Sequence, residues 1–116
     1  MKTTEATIQQ SILIWFNNNY GLKNHENQCL IFSVPNETSS FMELKRKKLT
    51  GLLPGVADLI VLIPNVIIFI EVKTEKGIQS EKQKAFENKV KALGFRYEIV
   101  RSLKDFQEIV LNYKIK

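Results

Sequence analysis

Two apolar runs, Val56–Ile63 and Val66–Lys73, are rich in valine and isoleucine, and only Pro64-Asn65 separates them. β-Branched runs of this length broken by two turn residues read as a pair of adjacent strands. If the turn is tight, residues whose numbers sum to 129 face one another, which sets Asp58 opposite Glu71. Their Cβ atoms are then about 4.5–5.5 Å apart. Pro64 cannot take the positive φ of a type I′ turn, so a bulge that shifts the register slightly is compatible with the sequence. Side chains alternate along a strand, so Glu71 and Lys73 share one face and Val72 points to the other.

The remainder of the chain supplies the layers this hairpin needs. Residues 5–20 carry Ile8, Ile12, Leu13, Trp15 and Phe16 at helical spacing, with Thr3 or Thr4 as N-cap and Gly21 just past the end. Cys29–Val34 reads as a strand ended by Pro35-Asn36, and residues 38–49 as a helix containing a basic run. Gly51 and Pro54-Gly55 punctuate the chain. Ser80 caps a helix from Glu81 to Leu93 with Ala85, Phe86, Val90 and Leu93 as its apolar stripe, and Gly94 ends it. Phe95–Val100 alternates like a strand, and Leu103–Tyr113 is a terminal helix. Trp15, Phe16 and the phenylalanines read as core. The expected order is αβ(α)ββαβα, an α/β fold with a small mixed sheet flanked by helices.

Composition narrows the function classes. With 44% hydrophobic and 25% charged residues the chain falls outside the disordered range. Its 116 residues suit one domain, able to bury about two thirds of its unfolded surface. No stretch approaches the roughly 20 apolar residues of a membrane span. No signal peptide is evident, so a cytoplasmic protein is expected. Cys29 and His25 are each the sole residue of their type, which excludes an internal disulfide, an all-Cys metal site and a His-rich zinc site. The net charge of +5 is uneven. Residues 1–44 carry two basic and four acidic side chains, and residues 45–116 carry fifteen basic and eight acidic ones. That basic balance suits a polyanion or an anionic membrane surface, although an amphipathic helix with an all-basic polar face is missing.

Like charges opposite one another in an apolar hairpin are destabilising, and a hard divalent cation would offset the repulsion. Mg²⁺ commonly uses one or two carboxylates together with waters and substrate phosphate. Lys73, on the face of Glu71, would then stand beside a phosphate and an attacking water. The alternative is a Glu71–Lys73 salt bridge at a strand end, with Asp58 capping a turn. Convergence of all three on one face favours the metal site.

The residues Asp58…Glu71-Val72-Lys73 resemble the PD-(D/E)XK nuclease superfamily. With Thr50-Gly51, Pro54-Gly55-Val56-Ala57-Asp58-Leu59, Phe69-Ile70-Glu71-Val72-Lys73 and Ser80-x-x-Gln83-x-x-Phe86, the chain is similar to the VRR-NUC family. Glu5, the Val34-Pro35-Asn36 turn and Val100-Arg101-Ser102 fit as well. Ala57 departs from the proline common before the aspartate. The resemblance spans nearly the whole chain and implies a restriction-endonuclease-like core, as one stand-alone domain over residues 1–116, similar to small phage and bacterial members and to Holliday-junction resolvases.

The resemblance further implies a Mg²⁺- or Mn²⁺-dependent endonuclease acting on DNA, as a homodimer, in a bacterial or phage-infected cell. Asp58, Glu71 and the Val72 carbonyl would hold the metal, Lys73 would orient or help deprotonate the water, and Glu5 and Gln83 would reach the site from their helices. Glu5 lies in a first helical turn, where the macrodipole favours an acid in any case, but it shares a face with Ile8 and Ile12 and is expected to point inward. Gln9, one turn on, is a weaker candidate. Gln83 also completes a Ser80-x-x-Gln83 capping box. Asn36, Lys47 and Lys48 are candidate DNA contacts, the lysines to phosphate. A flap or splayed-arm nuclease, or a DNA-binding or assembly module that kept the fold without chemistry, are the alternative functions.

Overall fold

The structure, a computed structural model, describes residues 3–24, 28–35 and 39–115. Four helices and four strands follow one another as α1 (Glu5–Asn19), β1 (Leu30–Ser33), α2 (Phe41–Leu49), β2 (Leu59–Ile63), β3 (Val66–Val72), α3 (Glu81–Ala92), β4 (Arg96–Val100) and α4 (Leu103–Leu111). The expected order holds. The strands form one sheet in sequence order, with β1, β2 and β3 antiparallel and β3 and β4 parallel. α3 is the crossover that a parallel pair requires.

The hairpin register is the one the tight turn demands: Leu59 pairs with Ile70 and Ile63 with Val66. No bulge intervenes. Asn65 takes φ 63°, a left-handed value asparagine tolerates, so the turn needs only Pro64 and Asn65. The strand predicted from Val56 begins instead at Leu59. There the Asp58 carboxylate, rather than a main-chain carbonyl of the neighbouring strand, accepts the Val72 N–H at 2.8 Å. The Asp58 carbonyl meanwhile accepts from Val34, extending the pairing of β1 with β2.

One sheet face packs on α1 and α4. Ile8, Ile12 and Phe16 of α1 meet Ile31, Leu59, Val61, Ile68, Ile70 and Val72 of the sheet and Phe106 and Val110 of α4. Each fully buried side chain of this size contributes about 1.5–3 kcal/mol. Phe106 locks the two helices together through edge contacts to Trp15 and Phe16 at 6.1 and 6.0 Å. The opposite face carries α3, where Ala57, Val90 and Tyr97 form a smaller core with Phe69, Phe86 and Ile99. Two members of the expected α3 stripe do not join it: Ala85 is exposed and Leu93 is 74% exposed. A helix crossing one edge of a narrow sheet buries few positions, and here Val90 is the buried one.

Thr4, not Thr3, caps α1, in a reciprocal box with Thr7. α2 starts at Phe41 after its cap Ser40, later than expected, and buries no residue. Phe41 is 77% exposed, and Phe32 and Phe95 are also open, so the phenylalanines are not uniformly core. No helix among the described residues is long and apolar enough to cross a membrane.

Gly55 fixes the approach to Asp58. It adopts φ 88°, and a Cβ there would clash with the Lys82 carbonyl and lie 2.9 Å from the Gln83 nitrogen. The loop before β2 thus lies directly on the first turn of α3. Gly55→Ala is expected to destabilise the protein by at least about 2 kcal/mol, combining a left-handed residue with a backbone clash. Urea denaturation checks this, and an unchanged midpoint would mean the loop and α3 are not held together here.

Candidate active site

Asp58 precedes β2 and Glu71 lies near the end of β3, extending the 129-sum register by one residue. Glu71 is 1% exposed and Lys73 8%, the charged side chains most deeply buried among the described residues. A carboxyl in such a place must have its oxygens satisfied. Gln83, in the first turn of α3, donates from Nε2 to Glu71 Oε2 at 3.0 Å. Tyr97 of β4 donates its hydroxyl to Oε1 at 3.1 Å. Both oxygens are therefore pinned, one from α3 and one from β4.

Gln83 does two things at once. Its Oε1 accepts from the Ser80 N–H at 2.8 Å and Ser80 Oγ accepts from the Gln83 N–H at 3.1 Å, completing the expected capping box. The amide nitrogen is left for Glu71 because capping uses only the amide oxygen. Behind Tyr97, Gln79 donates both to the Tyr97 hydroxyl at 3.2 Å and to Glu87 at 3.0 Å, and Glu87 pairs with Lys91 at 2.7 Å.

Burial first, and the adjacent Asp58 second, push the Glu71 carboxyl up to about 8, while Tyr97 and Lys73 pull it partly back. Burial also raises Tyr97, as does the nearby Glu71. The Glu71–Lys73 salt bridge weighed from sequence does not form: among the described residues Lys73 has no ion pair within 4 Å. Its backbone N–H bonds the Val100 carbonyl at 3.0 Å, joining β3 to β4 beyond their last paired residues. Gly77 packs against the Lys73 stem. The loop carrying Gly77 is gathered by Arg101, whose Nη1 donates to the carbonyls of Thr74, Glu75 and Gly77 at 2.7, 3.2 and 2.9 Å.

Glu5 is not directed into the core with Ile8 and Ile12; its side chain is exposed. A first-turn residue lies at the rim of the helix, beyond the sheet it packs on. Glu5 nevertheless lines a cleft of about 390 Å³ with Gln9, Leu13 and Asp58, so Asp58 forms one wall and the start of α1 the other. Gln9 lines the same cleft as Glu5. Lys47 pairs with Glu43 at 2.6 Å, one turn back on α2, with its side chain 39% exposed. Lys48 is exposed. Asn36 lies outside the described residues.

Tyr97, Gln79 and the Arg101 clamp were not singled out from sequence as site residues. Tyr97 alternates with Arg96 and Glu98 as any strand tyrosine does. Only its pairing opposite Phe69, diagonal to Glu71, reveals its partner.

A family model described as the VRR-NUC domain matches residues 3–104. A solved structure described as a VRR_NUC domain protein superposes with a TM-score of 0.77 at 17% identity, covering 97% of this chain and 89% of that one. Another, described as a VRR_NUC domain, gives a TM-score of 0.64 at 23% identity, covering 97% of this chain and 99% of that one. Both likenesses concern the fold. Comparison with curated proteins finds no match.

A raised carboxyl pKa makes the protonated form the one that favours folding. Without metal, the contribution of Glu71 is fully present below its ordinary value of 4.5 and is lost as pH rises through about 8. Metal-free protein is therefore expected to lose stability across that window, and Glu71→Gln to flatten the profile. Tyr97→Phe removes a donor that favours the carboxylate, so the fall should move to higher pH. Thermal denaturation in EDTA at a series of pH values checks both; equal slopes in wild type and Glu71→Gln would refute the assignment.

Proposed function

The chain belongs to the VRR-NUC domain family, nucleases of the restriction-endonuclease-like fold, and on that footing we propose that it is a metal-dependent endonuclease hydrolysing phosphodiester bonds in structured DNA such as four-way junctions. The observation that carries this reading is a buried carboxylate facing a second one across a hairpin, with a buried lysine on the same face and no ion pair between lysine and acid.

The donor set fits a hard divalent cation. Asp58, Glu71 and the Val72 carbonyl are all oxygen donors, although among the described residues no group of three or more His, Cys, Asp or Glu is placed to hold a metal ion by itself. Mg²⁺ and Mn²⁺ accept such a partial set and fill the remainder with water and phosphate. When bound, the ion supplies Lewis acidity toward the scissile phosphate and its attacking water.

The chain's own groups do the remaining work. Val72 N–H holds the Asp58 carboxylate, and Gln83 with Tyr97 holds that of Glu71, so neither has to reorganise as charge develops. Lys73 orients the attacking water and sets positive charge against the phosphate. Glu5 and Gln9 line the same cleft as Asp58, and Glu5 would contact the water shell of a bound ion from there. Hydrolysis forms a P–O bond to the water oxygen and breaks one to a sugar oxygen, which takes up a proton. Each chain holds one site, so paired cuts in a four-way junction require a two-fold homodimer.

The test is cleavage of a labelled four-way junction, a 5′-flap, a splayed arm and linear duplex, each with Mg²⁺, Mn²⁺ or EDTA. Wild type is expected to cut the junction at symmetric positions only with metal. Lys73→Ala should lower the rate by about 10²-fold or more while retaining the fold. Cutting confined to flaps or arms would keep the nuclease and discard the resolvase reading. Tight DNA binding with no cutting under either metal would leave a binding module.

A further inference from the structure

α2 packs against no other helix or strand among the described residues, yet it carries large apolar side chains in the open. Phe41 is 77%, Met42 75% and Leu49 84% exposed. A nine-residue helix presenting so much apolar surface to water is stabilised mainly by its cap and one ion pair unless something docks on it. At 100° per residue the helix sorts its side chains clearly. Glu43, Leu44 and Lys47 form the half-buried inner face, where Lys47 first and Ser39 second bond the Glu43 carboxylate and hold it well below its ordinary range. The outer face is Phe41, Met42, Lys45, Arg46, Lys48 and Leu49, with aromatic, apolar and cationic groups interleaved.

That interleaving selects among partners. A second copy packed face to face across a two-fold axis would oppose Lys45, Arg46 and Lys48 to themselves, which is repulsive. A polyanion with flat apolar groups satisfies both kinds of side chain: cations meet phosphate, and Phe41 and Met42 meet the faces of unstacked bases. Paired duplex hides those faces, whereas a branch point or loop exposes them. The helix is also tied to the candidate active site, because Leu52 N–H bonds the Lys47 carbonyl and the chain reaches Asp58 six residues later.

We propose that the outer face of α2 is a DNA-docking surface on which Lys45, Arg46 and Lys48 bind the phosphate backbone while Phe41 and Met42 stack on unpaired bases, selecting DNA with disrupted pairing. This rests on the nuclease reading and identifies the part of the molecule that recognises structured substrate. Of the two lysines singled out from sequence, Lys48 lies on this face and Lys47 pairs with Glu43 on its own helix.

The test is binding in EDTA, where no cutting occurs, of a labelled duplex with an unpaired central loop and of its fully paired counterpart. Phe41→Ala/Met42→Ala is expected to weaken binding to the looped DNA by about tenfold and to leave paired duplex within about twofold. Lys45→Ala/Arg46→Ala/Lys48→Ala should weaken both and reduce the slope of log affinity against log salt by about 2–3. All five positions are exposed, so both variants should keep the wild-type melting temperature. Wild-type affinity for looped DNA in the Phe41/Met42 variant would overturn the proposal. So would intact DNA binding with loss instead of self-association, or of binding to vesicles containing anionic lipid. Cleavage measured in parallel separates the two readings. Selective looped-DNA binding without metal-dependent cutting refutes the nuclease and keeps the docking face, and undiminished cutting and binding in both variants does the reverse.

Discussion

Two carboxylates forced together at the end of an apolar hairpin are the constraint around which this molecule is organised. The β2–β3 register leaves no choice about their proximity, because a two-residue turn and strict pairing set residue 58 against residue 71. Burial first, and the neighbouring Asp58 second, push the Glu71 carboxyl up to about 8, so the pair resists double ionisation. Groups from separate segments converge to manage it: the Val72 N–H on Asp58, Gln83 and Tyr97 on the two oxygens of Glu71, and Lys73 on the same face. Gly55 brings α3 close enough for Gln83 to arrive, and Arg101 gathers the loop that packs on Lys73.

The arrangement also divides the fold by task. The α1/α4 face carries the larger apolar core and holds the sheet in shape. The α3 face is thinner, and its polar members run inward from Lys91 through Glu87, Gln79 and Tyr97 to Glu71. Polar chains of this kind are stabilising only when every member is satisfied, and here each link has its partner. A nuclease needs such a division, since the scaffold must stay rigid while the site keeps strained, partly desolvated charges.

Much of this was legible in the sequence. Helix and strand existence followed from periodicity, and the carboxylate pairing followed from simple turn arithmetic. Gln83 was read both as a cap and as a site residue, and its two amide atoms fulfil the cap and reach Glu71 separately. The errors lie where tertiary packing decides exposure. Glu5 shares a helical face with Ile8 and Ile12 but sits past the edge of the sheet. Phe41 has the identity of a core residue, yet it is 77% exposed among the described residues.

Local spacing determined what is local: the hairpin, the face shared by Glu71 and Lys73, the caps, and the opposition of Asp58 and Glu71. These depend on strand alternation and turn length, which neighbouring residues fix between them. Only the tertiary structure decided that Tyr97 would close the second oxygen of Glu71, that Arg101 would clamp the loop beyond Lys73, and that α2 would pack on no other helix or strand among the described residues. Those outcomes depend on the parallel pairing of β3 with β4 across the α3 crossover and on which helix covers which face. Contacts between residues 24 to 27 positions apart in the chain leave no periodic trace for sequence reading to find.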